Sequence, residues 1–330
     1  MTVRVGVLAP YHVHGPGFGP STVEAADAEF VGIGDHDAER GRRVAEEDDT
    51  EFYPVEELLE RVDAVGVFAA IPERHRYIAA AAEAGVDVIV EKPLALTAER
   101  ARQSADVCEE HGVLLGMALP LRFNEVVQQA HRLLEAGAVG ELQSVVGTNR
   151  CPLPSTPEWI DVHGGRGTVA AHTCHVTDIA RAVTGEEVAE VYAETGRLFG
   201  DHPGEDAELL SMEMTDGTLF THDGSRSRPD NHHHGATVEM KLVGSEGVAE
   251  LNGYDRHARE IRDTEPNAGH NTNNFGSEHN TRLHRDFVAA VRERRPMAVT
   301  GEDGVREAAI VEAAYESADR GEPVAVEWPE

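Results

Sequence analysis

The feature that most constrains the fold is a regular alternation, through the first 119 residues, of short apolar runs with segments of helical periodicity. Among the apolar runs are VRVGVLA, DAVGVFAA and VDVIVEKP. The segments between them, such as DAERGRRVAEE and TAERARQSADVCEEHG, repeat apolar residues three and four positions apart, which is typical of helices. A repeated order of strand, helix and strand predicts a doubly wound parallel sheet of the Rossmann type, because parallel strands are joined by crossover helices.

The rhythm changes after residue 119, where one amphipathic segment, LRFNEVVQQAHRLLEAGAVG, leads into runs of alternating polarity such as LQSVVGTNR and VAEVYAETGRLF. This period of two predicts antiparallel strands, and Asp216-Gly217 within MEMTDGTLFTH supplies the positive φ angles of a tight hairpin turn. Two helical segments and a strand-like PVAVEW end the chain, after a predicted polar loop, EPNAGHNTNNFGSEHN. We therefore predict a Rossmann-type domain at 1–119 and an α+β domain with antiparallel strands at 120–330. A family resemblance described below implies that the first is a dinucleotide-binding domain and that the second, for substrate binding and oligomerisation, has a large, mostly antiparallel, open-faced sheet.

Charge and cysteine content exclude several classes of function. The formal net charge of -31 is spread along the chain, so nucleic acids and anionic membranes would be repelled. Many acidic residues, few lysines and plentiful arginines also fit adaptation to concentrated salt, which screens such repulsion. Three widely spaced cysteines form neither a disulfide framework nor a CxxC pair, and no run of about 18 apolar residues occurs. These features predict a soluble cytoplasmic protein.

The turn after the first strand, GVLAPYHVHGPGFG, is where a doubly wound sheet would bind a ligand. It departs from the G-x-G-x-x-G spacing that lets backbone amides approach a diphosphate, because Ala9, Tyr11 and His14 stand at the glycine positions. The second strand ends at Asp35, where an acid would accept a hydrogen bond from the ribose of NAD and repel the 2′-phosphate of NADP. The alternative is that Asp35 or Asp37 only caps the next helix.

Two groups of histidines were examined as metal ligands. His12 and His14, two residues apart, point to opposite sides of an extended chain, and no carboxylate or thiol is near them in the sequence. The run His232 to His234 is predicted to be a solvated loop that could border a substrate. We therefore predict no metal site.

At EKPLALT, the residues Glu91-Lys92-Pro93 resemble the signature of the glucose-fructose oxidoreductase and inositol dehydrogenase (Gfo/Idh/MocA) family. DAVGVFAAIPERH looks like the family's fourth strand, and GGRGTVAAHTCHVTDIARAVTG resembles the segment that carries its catalytic histidine, here His175. The resemblance covers essentially the whole chain. It implies an NAD(P)-dependent oxidoreductase acting on sugars or polyols, and a homodimer or homotetramer formed through the C-terminal sheet. The cofactor contacts that it implies are Ala9, Tyr11, His12, Val13, Asp35, His36, Ile71, Pro72, His75, Glu91 and Lys92.

The chemistry of alcohol oxidation gives two residues their predicted roles. Hydride leaves a CH–OH carbon only if the hydroxyl proton is removed, and a histidine, here His175, suits that task as general base. Lys92, one of only two lysines in the chain, would donate to the hydroxyl oxygen and lower the proton affinity of the base. The plain alternatives are a surface lysine at a strand end and a core histidine; Asp178, three residues after His175, would orient the imidazole in either case.

One position departs from the family pattern. Members with the full dehydrogenase constellation carry an aspartate four residues before the histidine, and this chain has Ala171 there. His172 or Asp161 would substitute for it, and Trp159 and Arg122 would line a sugar pocket. The predicted function is oxidation of a sugar, polyol or related hydroxy compound, with NAD favoured over NADP by Asp35. The alternatives are NAD-dependent glycoside cleavage or epimerisation, and a non-catalytic NAD(P)-binding sensor.

Overall fold

The computed structural model describes residues 2–154, 158–230, 236–253, 257–262, 269–274 and 278–329. The histidine run His232 to His234 and part of the predicted polar loop at 265–280 lie outside these ranges. Residues 269–274 of that loop form a strand, so the loop prediction was wrong for this stretch. Its polar side chains conceal the strand in the sequence, because ladder hydrogen bonds are made by the backbone alone.

The N-terminal part of the chain is built on a six-stranded parallel sheet, which confirms the predicted doubly wound sheet. Its strand order is β3-β2-β1-β4-β5-β6. Its strands are β1 (Val3–Leu8), β2 (Ala28–Gly34), β3 (Glu51–Tyr53), β4 (Ala64–Val67), β5 (Asp87–Glu91) and β6 (Leu115–Ala118). β4 and β5 are buried at every position, which explains their uninterrupted apolar runs. The strand order reverses between β1 and β4, so their carboxyl ends form the switch point at which such sheets bind ligands.

Five helices follow these strands: α1 (Phe18–Ala25), α2 (Ala38–Glu47), α3 (Val55–Leu59), α4 (Arg74–Glu83) and α5 (Ala98–Glu110). Two of them begin with side-chain caps. Asp37 accepts hydrogen bonds from the first amides of α2, and the Thr97 hydroxyl accepts one from Arg100 at the start of α5. Thus Asp37, and not Asp35, is the residue that caps α2.

The second domain contains a seven-stranded sheet with the order β12-β11-β7-β10-β9-β8-β15. The β10–β7 pair is parallel and the other pairs are antiparallel. The predicted hairpin is confirmed, because β9 and β10 are antiparallel and Gly217 has a φ of 87°. A separate two-stranded ribbon joins β13 to β14. The strands are β7 (Leu142–Arg150), β8 (Val188–Gly196), β9 (Ala207–Met214), β10 (Leu219–Asp223), β11 (Thr237–Gly244), β12 (Val248–Asn252), β13 (His257–Arg262), β14 (Gly269–Asn274) and β15 (Val324–Ala325).

The later helices connect the two sheets: α6 (Glu125–Glu135), α7 (Glu158–Val162), α8 (Thr168–Thr184), α9 (His279–Glu293) and α10 (Gly301–Arg320). α8 is buried over most of its length and shares an apolar core with α10 and the second sheet. α9 returns to the first domain, where Leu283 and Phe287 share a core with Val5 and Phe18. Across the described ranges, no helix combines the length and the apolar composition needed to cross a bilayer.

We expect acid to destabilise the fold through His284, which lies against α1 with its Nδ1 2.8 Å from Thr22 Oγ1. Burial lowers the pKa of His284 to about 4. The unfolded chain, with a pKa of about 6.5 for this residue, binds the proton first as the pH falls, so folding loses up to ~3 kcal/mol between these values. Denaturant unfolding at fixed salt, from about pH 7.5 to about pH 5, measures this slope.

The matched variant is His284→Leu, which removes the titrating group. Its free energy of unfolding should depend less steeply on pH than that of the parent. The difference between the two slopes should correspond to at most one bound proton. Equal slopes for the two proteins would contradict the assignment.

Candidate active site

A cavity of about 1120 Å³ opens at the switch point, between the two domains. Its first wall is formed by the turn after β1 and by Glu91 and Lys92 at the end of β5. Its second wall is formed by α7, α8, the end of β7 and the segment after β10. The cavity therefore joins the ligand-binding edge of the parallel sheet to side chains of the second domain.

Lys92 is 5% exposed, and its ammonium lies on the cavity wall. Nζ donates a hydrogen bond of 2.9 Å to the backbone carbonyl of Ala171 and lies 3.9 Å from Glu91 Oε1. The Lys92–Pro93 peptide bond is cis. At the position where the family pattern has an aspartate, the hydrogen-bond partner of Lys92 is the backbone carbonyl of Ala171 on α8.

His175 lies one helical turn after Ala171 on α8 and lines the same cavity. Its Nδ1 is buried and has no hydrogen-bond partner among the described residues. Burial, followed by the charge of Lys92, holds the pKa of His175 well below its ordinary value. The imidazole is therefore neutral near pH 7, with a free nitrogen that can accept a proton.

Asp178 does not orient His175, contrary to the sequence prediction. Its buried carboxylate instead accepts hydrogen bonds from the guanidinium of Arg122, which also donates to Asp303. The spacing of three residues predicted that Asp178 would share a helical face with His175. The guanidinium of Arg122, which lies outside α8, binds the carboxylate instead. Neither Arg122 nor Asp161, both predicted to be substrate ligands, lines the cavity.

His172 and Trp159 do line the cavity. Both ring nitrogens of His172 are engaged, since Nδ1 is 2.9 Å from Thr168 Oγ1 and close to the Gly224 carbonyl, while Nε2 is 3.3 Å from Cys151 Sγ. These contacts fix the orientation of the His172 ring, and its role in substrate binding stays a prediction. Trp159 packs edge-on against His163, with ring centroids 6.2 Å apart.

His163 is a cavity residue that the sequence analysis missed. It is 4% exposed, its Nδ1 donates to the carbonyl of Trp159 at 2.5 Å, and its Nε2 is buried without a partner in the described ranges. Burial lowers its pKa to about 3. The available signal was its spacing of four residues from Trp159, which puts both on one side of a helical turn.

Glu91, His12 and His14 come together, although the sequence analysis found no carboxylate near the two histidines. Glu91 Oε2 is 3.1 Å from His14 Nδ1 and 3.9 Å from His12 Nδ1. Burial opposes ionisation of Glu91, but these imidazoles and Lys92 hold its pKa well below the ordinary value. The ligand atoms lie within 4.8 Å of one another, as in a metal cluster. The adjacent ammonium and the fully buried guanidinium of Arg74 oppose a further cation, so the absence of a metal site stays our prediction.

Asp35 lies at the end of β2, as predicted, but its side chain is fully buried beneath Arg40. The carboxylate accepts hydrogen bonds from Arg40 Nε and Nη2 at 2.6 and 2.7 Å, and from the Tyr77 hydroxyl and the Asp37 amide at 3.0 Å. The Arg40 guanidinium also lies over the Tyr11 ring, 5.0 Å from its centroid. A ribose approaching this edge would therefore meet a guanidinium before it met a carboxylate.

The other predicted cofactor residues fall into two groups. Tyr11, His12 and Val13 line the cavity, and Ala9 precedes them with a φ of 47°, the left-handed backbone that glycine usually supplies. The remaining four lie outside the cavity wall: His36, Ile71, Pro72 and His75.

A dinucleotide fits several features of this cavity. Gly17, at the start of α1, has a φ of 79° and no atom within 4 Å of the point where a Cβ would stand. Glu91 Oε1, His163 Nε2 and His175 Nδ1 are buried polar atoms that lack protein partners in the described chain. Asp48 accepts hydrogen bonds from the Gly17 amide at 2.9 and 3.0 Å, so a diphosphate would share this helix start with a carboxylate.

The structure combines a parallel sheet of the type that binds dinucleotides with a second, mostly antiparallel sheet, and the cavity lies at the switch point of the first. Residues 8–119 match the model of the oxidoreductase family with an NAD-binding Rossmann fold, and residues 127–250 match a Gfo/Idh/MocA C-terminal domain. The chain belongs to the Gfo/Idh/MocA family. The comparisons confirm the predicted family, the fold class and an NAD(P)-dependent dehydrogenase acting on a CH–OH group.

Several relatives span nearly the whole chain. Myo-inositol 2-dehydrogenase of Thermotoga maritima is 26% identical over 91% of this chain and 92% of its own. D-xylose 1-dehydrogenase (NADP(+)) 2 of Haloferax volcanii is 27% identical over 92% and 93%, respectively. The crystal structure of GenD2 from gentamicin A biosynthesis, in complex with NAD, superimposes with a TM-score of 0.87 at 25% identity, covering 99% of this chain and 97% of that one.

We expect Arg122 to stabilise the fold and not to bind substrate. Replacing it in Arg122→Met leaves the buried Asp178 carboxylate without its cation, so unfolding should cost ~3 kcal/mol less. The KM for substrate should change little in the folded enzyme. Denaturant unfolding and steady-state kinetics measure the two effects.

The control is Arg61→Met, which breaks an exposed ion pair with Glu57. It should leave stability nearly unchanged. A large rise in KM for Arg122→Met at normal stability would support the original sequence prediction instead.

Proposed function

We propose that this protein oxidises a CH–OH group of a sugar, polyol or related hydroxy compound, with a nicotinamide cofactor as hydride acceptor. The observation that carries the proposal is that Lys92 and His175, one from each domain, line one cavity at the switch point of the parallel sheet. The named activities of the relatives, which include inositol and xylose dehydrogenases, support a substrate of this class.

The proposed roles follow from charge and protonation. His175 is neutral and has an unpaired buried nitrogen, so it accepts the hydroxyl proton. Lys92 turns from the Ala171 carbonyl toward the substrate oxygen, donates a hydrogen bond and stabilises negative charge that develops there. The nicotinamide, when bound, supplies the hydride acceptor. Trp159 lines the same cavity, and the Arg226 guanidinium stacks on its ring.

We propose that the pair Asp35 and Arg40 sets the choice of cofactor. The sequence favoured NAD because a carboxylate at this position repels a 2′-phosphate. The contacts of Arg40 argue for NADP as an accepted cofactor, since its guanidinium neutralises Asp35 and is the more exposed of the two groups. An arginine in this position can pair with a 2′-phosphate.

We further propose a cytoplasmic homo-oligomer adapted to concentrated salt. The net charge of -31 supports the salt adaptation. The open face of the second sheet supports the assembly, because Val146, Leu209 and Leu219 lie on the neighbouring strands β7, β9 and β10 and are 45%, 58% and 60% exposed.

Lys92→Met should abolish turnover while cofactor binding is largely retained, because the apolar side chain keeps much of the volume but cannot donate to the substrate oxygen. NAD(P)H formation over a panel of sugars and polyols measures turnover, and cofactor titration measures binding. Lys241→Met is the matched control, since the chain's other lysine lies half exposed on β11. Turnover that survives in Lys92→Met would overturn the assignment.

The same assay distinguishes the alternatives. Substrate conversion without release of NAD(P)H would indicate cleavage or epimerisation with a retained cofactor. Cofactor binding without conversion of any compound would indicate a sensor.

Arg40→Ala should shift cofactor preference toward NAD by about tenfold or more in the ratio of kcat/KM values, because it exposes the Asp35 carboxylate. Arg43→Ala, on an exposed position of the same helix, is the control and should leave the ratio unchanged. An unchanged ratio in Arg40→Ala would show that Arg40 does not read the cofactor.

A further inference from the structure

We propose that the substrate carries a carboxylate and that Arg226 binds it. The inference rests on the proposed function and narrows its substrate class to sugar acids and related hydroxy acids. Arg226 follows β10, lies on the cavity wall and is 8% exposed.

Arg226 is a buried cation without a carboxylate partner in the part of the chain that the structure describes. Its protein hydrogen bonds come from Nη1 alone, which donates to Cys151 Sγ at 3.0 Å and to the Pro152 carbonyl at 3.4 Å. Nε is buried and has no partner there. A buried charge left in this condition costs several kcal/mol, so a guanidinium retained in this position indicates an anion that arrives from outside.

Three other arginines that are largely buried have different surroundings, although Nη2 of Arg74 also lacks a hydrogen-bond partner among the described residues. Arg181 pairs with Glu187 and Glu307 at 2.5 and 2.8 Å, and Arg122 pairs with Asp178 and Asp303. Arg74 donates to three backbone carbonyls. Arg226 differs from all three, because it is the one that faces the ligand cavity.

Asp206 and Glu208 are the carboxylates whose negative charges act on Arg226, and each of them already has other hydrogen-bond partners. Asp206 accepts hydrogen bonds from the amides of residues 198–200 at 2.6 to 3.0 Å. Glu208 lies 3.1 Å from His222 Nε2 and accepts a hydrogen bond from Thr173. Cys151 supplies no counter-charge either, because burial raises the pKa of its thiol.

The guanidinium of Arg226 is oriented by its neighbours in a way that allows it to bind a planar anion. It stacks on Trp159, 4.1 Å from the ring centroid, and Nη1 is anchored as described above. This leaves Nε and Nη2, which form one edge of the fork, for a ligand. Two parallel N–H donors match the two oxygens of a carboxylate; the same fork also fits a phosphate, so a sugar phosphate is the comparison that tests the choice of anion.

A series of contacts links Arg226, the proposed carboxylate-binding residue, to Lys92, the proposed catalytic residue. Lys92 binds the Ala171 carbonyl, and the next residue, His172, approaches Cys151 Sγ at 3.3 Å, which in turn contacts Arg226. Lys92 therefore contacts α8 directly, and Arg226 is linked to the same part of α8 through Cys151, which follows β7. A substrate with its carboxylate on Arg226 would present a CH–OH group toward Lys92 and His175.

The test compares matched neutral and acidic substrates on the full-length protein in high salt. The probes are D-glucose with D-glucuronate, D-galactose with D-galacturonate, and glucose 6-phosphate as the phosphate arm. We expect kcat/KM to be at least about tenfold higher for an acid than for its neutral partner. Arg226→Met should remove this preference mainly through KM, and Arg226→Lys should retain part of it.

Arg150→Met is the control, because Arg150 forms its ion pair with Asp223 and does not line the cavity. A second measurement, the rise in melting temperature with gluconate against the same concentration of glucose, reports binding even where turnover is absent. Stabilisation by gluconate that is lost in Arg226→Met would support the proposal.

The outcomes separate the inference from the function on which it rests. Oxidation of neutral sugars that is unaffected by Arg226→Met would overturn the carboxylate site and leave the dehydrogenase standing. A preference for glucose 6-phosphate over the uronates would overturn the choice of carboxylate. Absence of any oxidation, together with gluconate binding, would overturn the proposed function and not the anion site.

Discussion

The hydrogen bond from Lys92 Nζ to the Ala171 carbonyl joins the end of β5 to α8 and places the buried ammonium on the wall of the cavity. Lys92 lies at the carboxyl edge of the parallel sheet, whereas Ala171 belongs to the second domain's core helix. A buried ammonium requires acceptors, and the carbonyl supplies one without a second negative charge. The same contact brings Lys92 close enough to His175 for its charge to lower the pKa of the imidazole.

Burial then determines what each cavity group can do. Lowered pKa values keep His12 and His163 neutral near pH 7. His12 Nδ1 accepts a hydrogen bond from the His14 amide, whereas His163 Nε2 has no partner among the described residues. Glu91 remains ionised because imidazoles and Lys92 surround it. Arg226 is left as a positive charge without a counter-ion in the described chain. The cavity thus combines neutral imidazoles from both walls with the cations Lys92 and Arg226 and the carboxylate of Glu91.

Local signals in the sequence predicted local structure well. The alternation of buried runs and amphipathic segments predicted the parallel sheet, and Asp216-Gly217 was expected to turn the β9–β10 hairpin. Each of these depends on residues a few positions apart. Predictions about which partner a charged side chain would choose succeeded less often. Asp178 was expected beside His175, but it pairs with Arg122.

The sequence by itself determined the two sheets, the family and the placement of Lys92 at the end of a buried strand, because periodicity, turn residues and a short motif are all encoded locally. Only the tertiary structure decided the charge environment of the cavity. Arg40 forms an ion pair that covers Asp35, and His14 forms a hydrogen bond with Glu91. Arg226 stacks on Trp159 and has no carboxylate partner in the described chain. The last two contacts join residues that are far apart in the chain. In all three, pKa and ligand preference depend on burial and on which charge is nearest in space, which sequence spacing does not specify.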